Sequence, residues 1–302
     1  MTTPAKRKAE SPAPKSPTPG PASPSPAPRS PQPADHTGIL AGAHWLEQEL
    51  LPEDDDSTLG SDVESSTASV ASSILNYRTI NGRTYHSDSV TNGEYWGPND
   101  TKHQESLEVF AHAAELMIGG KLHLAPIGND APVQRAADIG TGSGLWAIDF
   151  ADAYPECEVI GTDLSPIQPS WCPPNLRFEI EDATKDWTFK ENYFDFIHLR
   201  FLTGGIKDWA GLYKQAYQAC KPGGWIEHFD LTSVPFSDDD SVPKGSALEQ
   251  YGKIFIEAGK RLGMTHRTAE DGIQENGLKE AGFVNITANN YKVSRSTKPT
   301  EV

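Results

Sequence analysis

The sequence predicts an α/β protein: a mostly parallel sheet with helices on both faces and a ligand held at the carboxyl ends of the strands. Three observations predict it. From about residue 131 onward, short apolar runs of strand length alternate with segments of helical period. A glycine-rich turn, Gly140-Thr141-Gly142-Ser143-Gly144, joins the first of these runs to a helix. An acid, Asp163, ends the next run, close to the roughly 20-residue spacing found in nucleotide-binding units.

Taken in order, the chain begins with a stretch that cannot join this core. Residues 1–73 are expected to be disordered, first a Pro/Ser-rich tail and then an acidic and Ser/Thr-rich stretch. Lys6-Arg7-Lys8, beside serines and threonines that precede proline, reads either as a nuclear-import signal next to proline-directed phosphorylation sites or as a basic triplet in a tail. An apolar piece with Ile39, Leu40, Trp45, Leu46, Leu50 and Leu51 suits a short docking helix, and Glu53-Asp54-Asp55-Asp56 after it a solvated linker. Residues 74–130 read as a cap segment with Tyr77, Tyr85, Tyr95 and Trp96. It leads into a helix from about Asp100 to Met117, whose Leu107, Phe110, Ala111, Ala114 and Met117 make one apolar face.

Residues 131–293 carry the alternation. Strands are expected up to Ile139, at Glu158–Asp163, at Leu176–Ile180, at Phe194–Leu199 and at Trp225–Phe229. A helix over Lys207–Cys220 and a turn at Lys221-Pro222-Gly223-Gly224 precede the last of these. Helices over Ala247–Leu262 and Asp271–Ala281, a strand over Phe283–Thr287 and a polar tail over 294–302 complete the reading.

Composition bounds the function. The net charge of −16 opposes direct binding to nucleic acid through phosphates. No apolar run is long enough for a membrane span, and no secretory signal is visible. Three cysteines without paired spacing argue for a reducing compartment and against structural zinc, so no metal site is expected.

The glycines decide the ligand. A dinucleotide turn needs Gly-x-Gly-x-x-Gly, but Leu145 stands where the third glycine belongs, which disfavours a nicotinamide-dependent oxidoreductase. The turn, with Asp138 before it and Asp163 after the next strand, resembles that of class I S-adenosylmethionine-dependent methyltransferases, which have a Rossmann-like fold. The resemblance implies S-adenosyl-L-methionine as cofactor. Asp138 would bond the methionyl ammonium directly or through water; Gly140, Thr141, Gly142 and Gly144 would form the turn; Asp163 with Leu164 would hold the ribose. Asp182, with Ala183 beside it, resembles the acid that takes the adenine amino group, or is a solvent-facing loop acid. Leu145 and Trp146 read as packing residues. Where the methyl would be transferred stands His198, a general base with an ordinary pKa of about 6.5 or a hydrogen-bonded structural histidine. His228 and Asp230 are weaker candidates. Tyr85 and Tyr95 either cap the cofactor or pack.

Several segments further resemble the fungal LaeA-like methyltransferases: Asn81-Gly82-Arg83-Thr84-Tyr85-His86, Tyr95-Trp96-Gly97-Pro98-Asn99-Asp100, Gly120 to Ile127, Asp163 to Pro169, Ile197-His198-Leu199-Arg200 and Lys221 to Trp225 with Glu227. That likeness spans about Asn76 to Val293. It implies a nuclear or cytoplasmic protein tied to fungal secondary metabolism, in some members through velvet-type partners, with the methyl acceptor open. A non-catalytic regulator that binds partners through the same fold is the alternative. The last, antiparallel strand usual in class I enzymes is expected to be missing, which would leave the Phe283–Thr287 strand an open edge.

Overall fold

The computed structural model describes residues 73–91, 95–128, 132–235, 237 and 242–292. The expectations for residues 1–72 and for 293–302 lie outside the described residues.

The cap begins with an antiparallel hairpin, β1 (Arg78–Ile80) and β2 (Arg83–Tyr85). Its two-residue connection, Asn81-Gly82, has φ of 50° and 76°, the left-handed pair that matches strand twist in a tight hairpin. A single turn of helix, α1 (Asp88–Thr91), follows. Then comes α2 (Thr101–Met117), whose N-cap Asp100 accepts the His103 N–H at 3.0 Å. Arg83 forks onto both oxygens of Asp100, so the hairpin is fixed to the start of α2.

The alternation then runs β3 (Arg135–Ile139), α3 (Leu145–Ala153), β4 (Glu158–Asp163), β5 (Leu176–Ile180), β6 (Phe194–Arg200), α4 (Trp209–Ala219), β7 (Cys220–Phe229), α5 (Ala247–Leu262) and α6 (Ile273–Ala281). The five strands from β3 to β7 form one sheet, ordered β5-β4-β3-β6-β7, and every neighbouring pair is parallel. Side chains alternate across it. Ala136, Val159 and Phe196 face Trp146, Ala147, Phe150 and Ala151 of α3. Ala137, Ile160, Ile197 and Leu199 face Trp209, Leu212, Tyr213 and Ala216 of α4, with Leu278 of α6. Burial on both faces explains why these strands read as continuous apolar runs. From β3 the chain adds β4 and β5 on one side and then β6 and β7 on the other, so the strand order reverses between β3 and β6, the switch point where α/β proteins bind ligands.

Two elements differ from expectation. The Lys221–Gly224 turn lies within β7, as an irregularity: Cys220 pairs with Phe194, but Trp225 pairs with Phe196, so the residues between them bulge from the ladder. Phe283–Thr287 is not a strand. Asn285 has φ of 55°, which breaks an extended path, and Phe283 and Ile286 pack on the core beside α4 instead. The sheet therefore ends at β7 among the described residues, and the open edge belongs to β7. No described helix is long and apolar enough to cross a membrane.

Candidate active site

A hollow of about 370 Å³ opens at the switch point, over the carboxyl ends of the strands. It is lined by Asp138, Gly140, Thr141, Gly142, Asp163, Leu164, Asp182, Ala183 and Tyr95 from the residues singled out above. Tyr85, Gly144 and His198 do not line it.

The glycine turn sets the floor. Gly140 and Gly142 have φ of 72° and 61°. A Cβ on Gly140 would come within 2.6 Å of the Leu202 side chain, and one on Gly142 within 3.1 Å of Leu107 from α2. The turn is thus pressed between the loop after β6 and the cap helix, and its positive φ angles make any larger residue there strained. Gly144, with φ of 79°, caps the N-terminus of α3.

Asp138, almost fully buried, accepts Thr141 Oγ1–H at 2.6 Å on one oxygen and His198 Nδ1–H at 2.8 Å on the other. The His198 ring is stacked on Trp146 with centroids 3.6 Å apart, and it is 2% exposed. Burial pushes its pKa down, outweighing the pull of Asp138, so the ring is neutral and donates from Nδ1. This geometry corrects the reading of His198 as a general base. It does not line the hollow, and its Nδ1 proton is committed to Asp138. The alternative reading, a hydrogen-bonded histidine, describes what is found.

Asp163 stands at the end of β4, where it accepts the Gly142 N–H at 2.8 Å and the Ser165 N–H at 3.3 Å. Each oxygen keeps a lone pair for a further donor. Burial pushes its pKa up from 3.8 to about 6, partly opposed by those N–H groups. Leu164 follows it, and Asp182 with Ala183 lines the hollow beyond β5. Asp182 accepts the backbone N–H and the hydroxyl of Thr184 at 2.9 and 2.7 Å on one oxygen, and no described residue bonds the other.

The cap closes the opposite side. Tyr95 packs edge-on to His86, 5.0 Å away, and its ring lies 3.2 Å from where a Cβ on Gly205 would be. Burial pushes the Tyr95 hydroxyl up to about 12, so it stays protonated. His86 bonds Ser165 Oγ through Nδ1 at 2.6 Å, and burial pushes its pKa down to about 4. The Trp96 indole donates to the Gly204 carbonyl at 2.7 Å and ties the cap to the loop after β6. Tyr85 instead belongs to the hairpin and bridges to Pro98.

The sequence reading missed His86, Trp96, His103, Phe110, Arg200 and Phe201, all of which line the hollow. For α2 the signal was present, since His103, Leu107 and Phe110 recur at steps of four and three. The same apolar face supplies Leu107, Phe110 and Ala111 to the hollow. Asp230, a weaker candidate in the reading, also lines the hollow, but it accepts the Thr203 and Leu231 N–H groups at 2.8 Å each and His228 Nε2–H at 3.2 Å.

The methyltransferase-domain family matches residues 110–285. The methyltransferase pytC of Aspergillus terreus is 38% identical over 79% of this chain and 72% of its own length. The secondary metabolism regulator LAE1 of Cochliobolus heterostrophus is 36% identical over 73% of this chain and 72% of its own. The chain belongs to the LaeA-like class I methyltransferases. The protein-methionine methyltransferase laeA of Emericella nidulans is 32% identical over 68% of this chain, which spans about half of that relative, 54% of it. The cofactor of this LaeA-like methyltransferase is S-adenosyl-L-methionine, and its residues fit that group: a two-oxygen acceptor at the ribose position, a turn that excludes side chains, and a free carboxylate oxygen beyond β5.

Proposed function

We propose that this protein transfers a methyl group from S-adenosylmethionine in the control of fungal secondary metabolism. The observation that carries the transferase reading is the convergence of Asp163, the glycine turn and Asp182 on one hollow at the switch point of a parallel sheet. The regulatory setting rests on the named function of the LAE1 relative. A nuclear or cytoplasmic location and a velvet-type partner are part of the same proposal.

When bound, S-adenosylmethionine supplies an electrophilic methyl group on a sulfonium. The chain's own part is alignment. Asp163 accepts the ribose hydroxyls, and the backbone at Gly140 and Gly142 gives close approach. Asp138, aimed by His198 and Thr141, presents negative charge toward the methionyl ammonium. Tyr95 and Trp96 shield the hollow from water. Every carboxylate lining the hollow already accepts a hydrogen bond from the protein, so none stands free as a strong base. That favours an acceptor needing little proton removal. A methionine thioether, as in the name of the Emericella relative, needs none.

Calorimetric titration with S-adenosylmethionine and S-adenosylhomocysteine tests the cofactor assignment. Wild type binds both, and Asp163→Ala weakens both. Methyl transfer from labelled cofactor to a methionine-containing peptide, with its norleucine counterpart as control, tests the acceptor. Equal labelling of the two peptides would rule out the thioether.

A further inference from the structure

Arg200 differs from the other arginines. The other six described arginines each form an ion pair with an aspartate or glutamate. Arg200 forms no ion pair and no hydrogen bond among the described residues; its guanidinium rests over the ring of Phe201, 5.5 Å from the centroid. It is half-buried and it lines the hollow. A guanidinium does not give up its proton in a protein, so this is a permanent charge partly withdrawn from water with its five donors unspent on any acceptor among the described residues. Asp138, Glu115 and Asp149 offset it through space without bonding it. Such a group calls for an anionic ligand.

Its place in the sheet says which anion. Arg200 ends β6, two residues beyond His198, so it projects from the same face as His198 and Asp138. Leu199 pairs with Ile139, which puts Arg200 level with Gly140 at the start of the glycine turn. Across the sheet, the strand ends therefore present a sequence of groups: Asp182 and Ala183 after β5, Asp163 at β4, the turn after β3, and Arg200 at β6. At about 4.8 Å per strand, the span from β5 to β6 is roughly 14 Å. The parts of the cofactor follow in the same order: adenine, ribose, then the sulfonium with its amino-acid tail. The next group in line after the ribose that carries negative charge is the α-carboxylate.

We infer that Arg200 binds the α-carboxylate of the cofactor's methionyl part and so makes the site selective for nucleosides that carry the amino-acid tail. The inference rests on the cofactor assignment above. It is tested by titrating the full chain with S-adenosylhomocysteine, which has the carboxylate, and with 5′-methylthioadenosine, which has the same nucleoside and sulfur but no tail. Arg200→Gln is expected to weaken S-adenosylhomocysteine by about 10- to 100-fold, as losing a charge-assisted pair should. Binding of 5′-methylthioadenosine should stay within about twofold, the scatter of independent sites.

Unchanged binding of S-adenosylhomocysteine overturns the assignment. So does an equal loss for both ligands, which means that the site has collapsed. Arg200→Lys keeps the charge without the fork; if Arg200→Gln does not fold, the lysine variant must lose S-adenosylhomocysteine selectively or the assignment fails. Asp163→Ala should weaken both ligands alike, because both carry the ribose. Wild type binding neither ligand removes the cofactor assignment, and this one with it.

Discussion

At the scale of single residues, Asp163 couples the site to pH. Its carboxyl titrates near 6 in the folded protein instead of 3.8, chiefly because it is buried. Ribose hydroxyls donate to the ionised form, so cofactor affinity should fall as pH drops through 6, by up to about tenfold per unit, with a proton released on binding in that range. Titrations in buffers of different ionisation enthalpy measure that release directly. For stability the sign is opposite. A folded pKa above the unfolded one means that ionisation works against folding, so this group's contribution worsens as pH rises from 3.8 to about 6 and stays unfavourable above it. Asp163→Asn should therefore raise the melting temperature of the ligand-free protein at pH 7, by roughly 2–4 °C, while weakening the cofactor. His198 gives a contrasting case. Its replacement by alanine leaves a buried Asp138 oxygen without its donor and should cost about 1–3 kcal/mol in chemical denaturation. A pH–rate profile should keep its shape in any variant that still folds, because this imidazole does not exchange a proton with substrate.

At the scale of elements, two contacts hold the cap in register with the sheet. Glu227 of β7 accepts the N–H groups of Leu124 and Ala125 at 2.8 and 2.7 Å, and Trp146 of α3 donates to the Leu122 carbonyl at 2.7 Å. These bonds make the Gly120–Ile127 segment and Glu227 one joint. Glu227→Ala leaves two part-buried donors without their carboxylate and should destabilise by about 1–2 kcal/mol. Limited proteolysis between α2 and β3 should then become faster. In the layer below, Phe150 is fully buried against Trp146, Tyr154 and Phe196. Phe150→Ala should cost about 3–5 kcal/mol by the transfer of the ring and the cavity left behind.

At the scale of the whole molecule, the site is shared between the sheet and the cap, which meet around the hollow as well as at the Glu227 joint. Trp96 reaches the loop after β6, Leu107 presses on the glycine turn and Tyr95 fits against Gly205. Ligand binding should therefore stabilise the cap and sheet together. At a hundred times its Kd, S-adenosylhomocysteine should add about 2.7 kcal/mol to unfolding, read as one shifted transition that includes the tryptophan fluorescence of both parts. Two separate transitions would show that the cap is not coupled to the sheet through the site.

The sequence by itself determined the alternation of strands and helices, the parallel sheet, the glycine turn and the acids at the ends of β4 and β5. These are local signals: apolar period, turn chemistry and spacing along the chain. The β1–β2 hairpin was equally legible, from Asn81-Gly82 between two short strand-forming runs, although it was read only as part of a family segment. Tertiary structure alone decided the rest. It decided that His198 turns inward to Asp138 while Arg200, two residues on and on the same face, reaches the hollow. It also decided that Tyr95 lines the hollow and Tyr85 does not, and that Phe283–Thr287 stays out of the sheet. Which side chain meets which partner depends on neighbours far away in sequence, and the free energy of a buried polar group is set by those neighbours and not by its own identity.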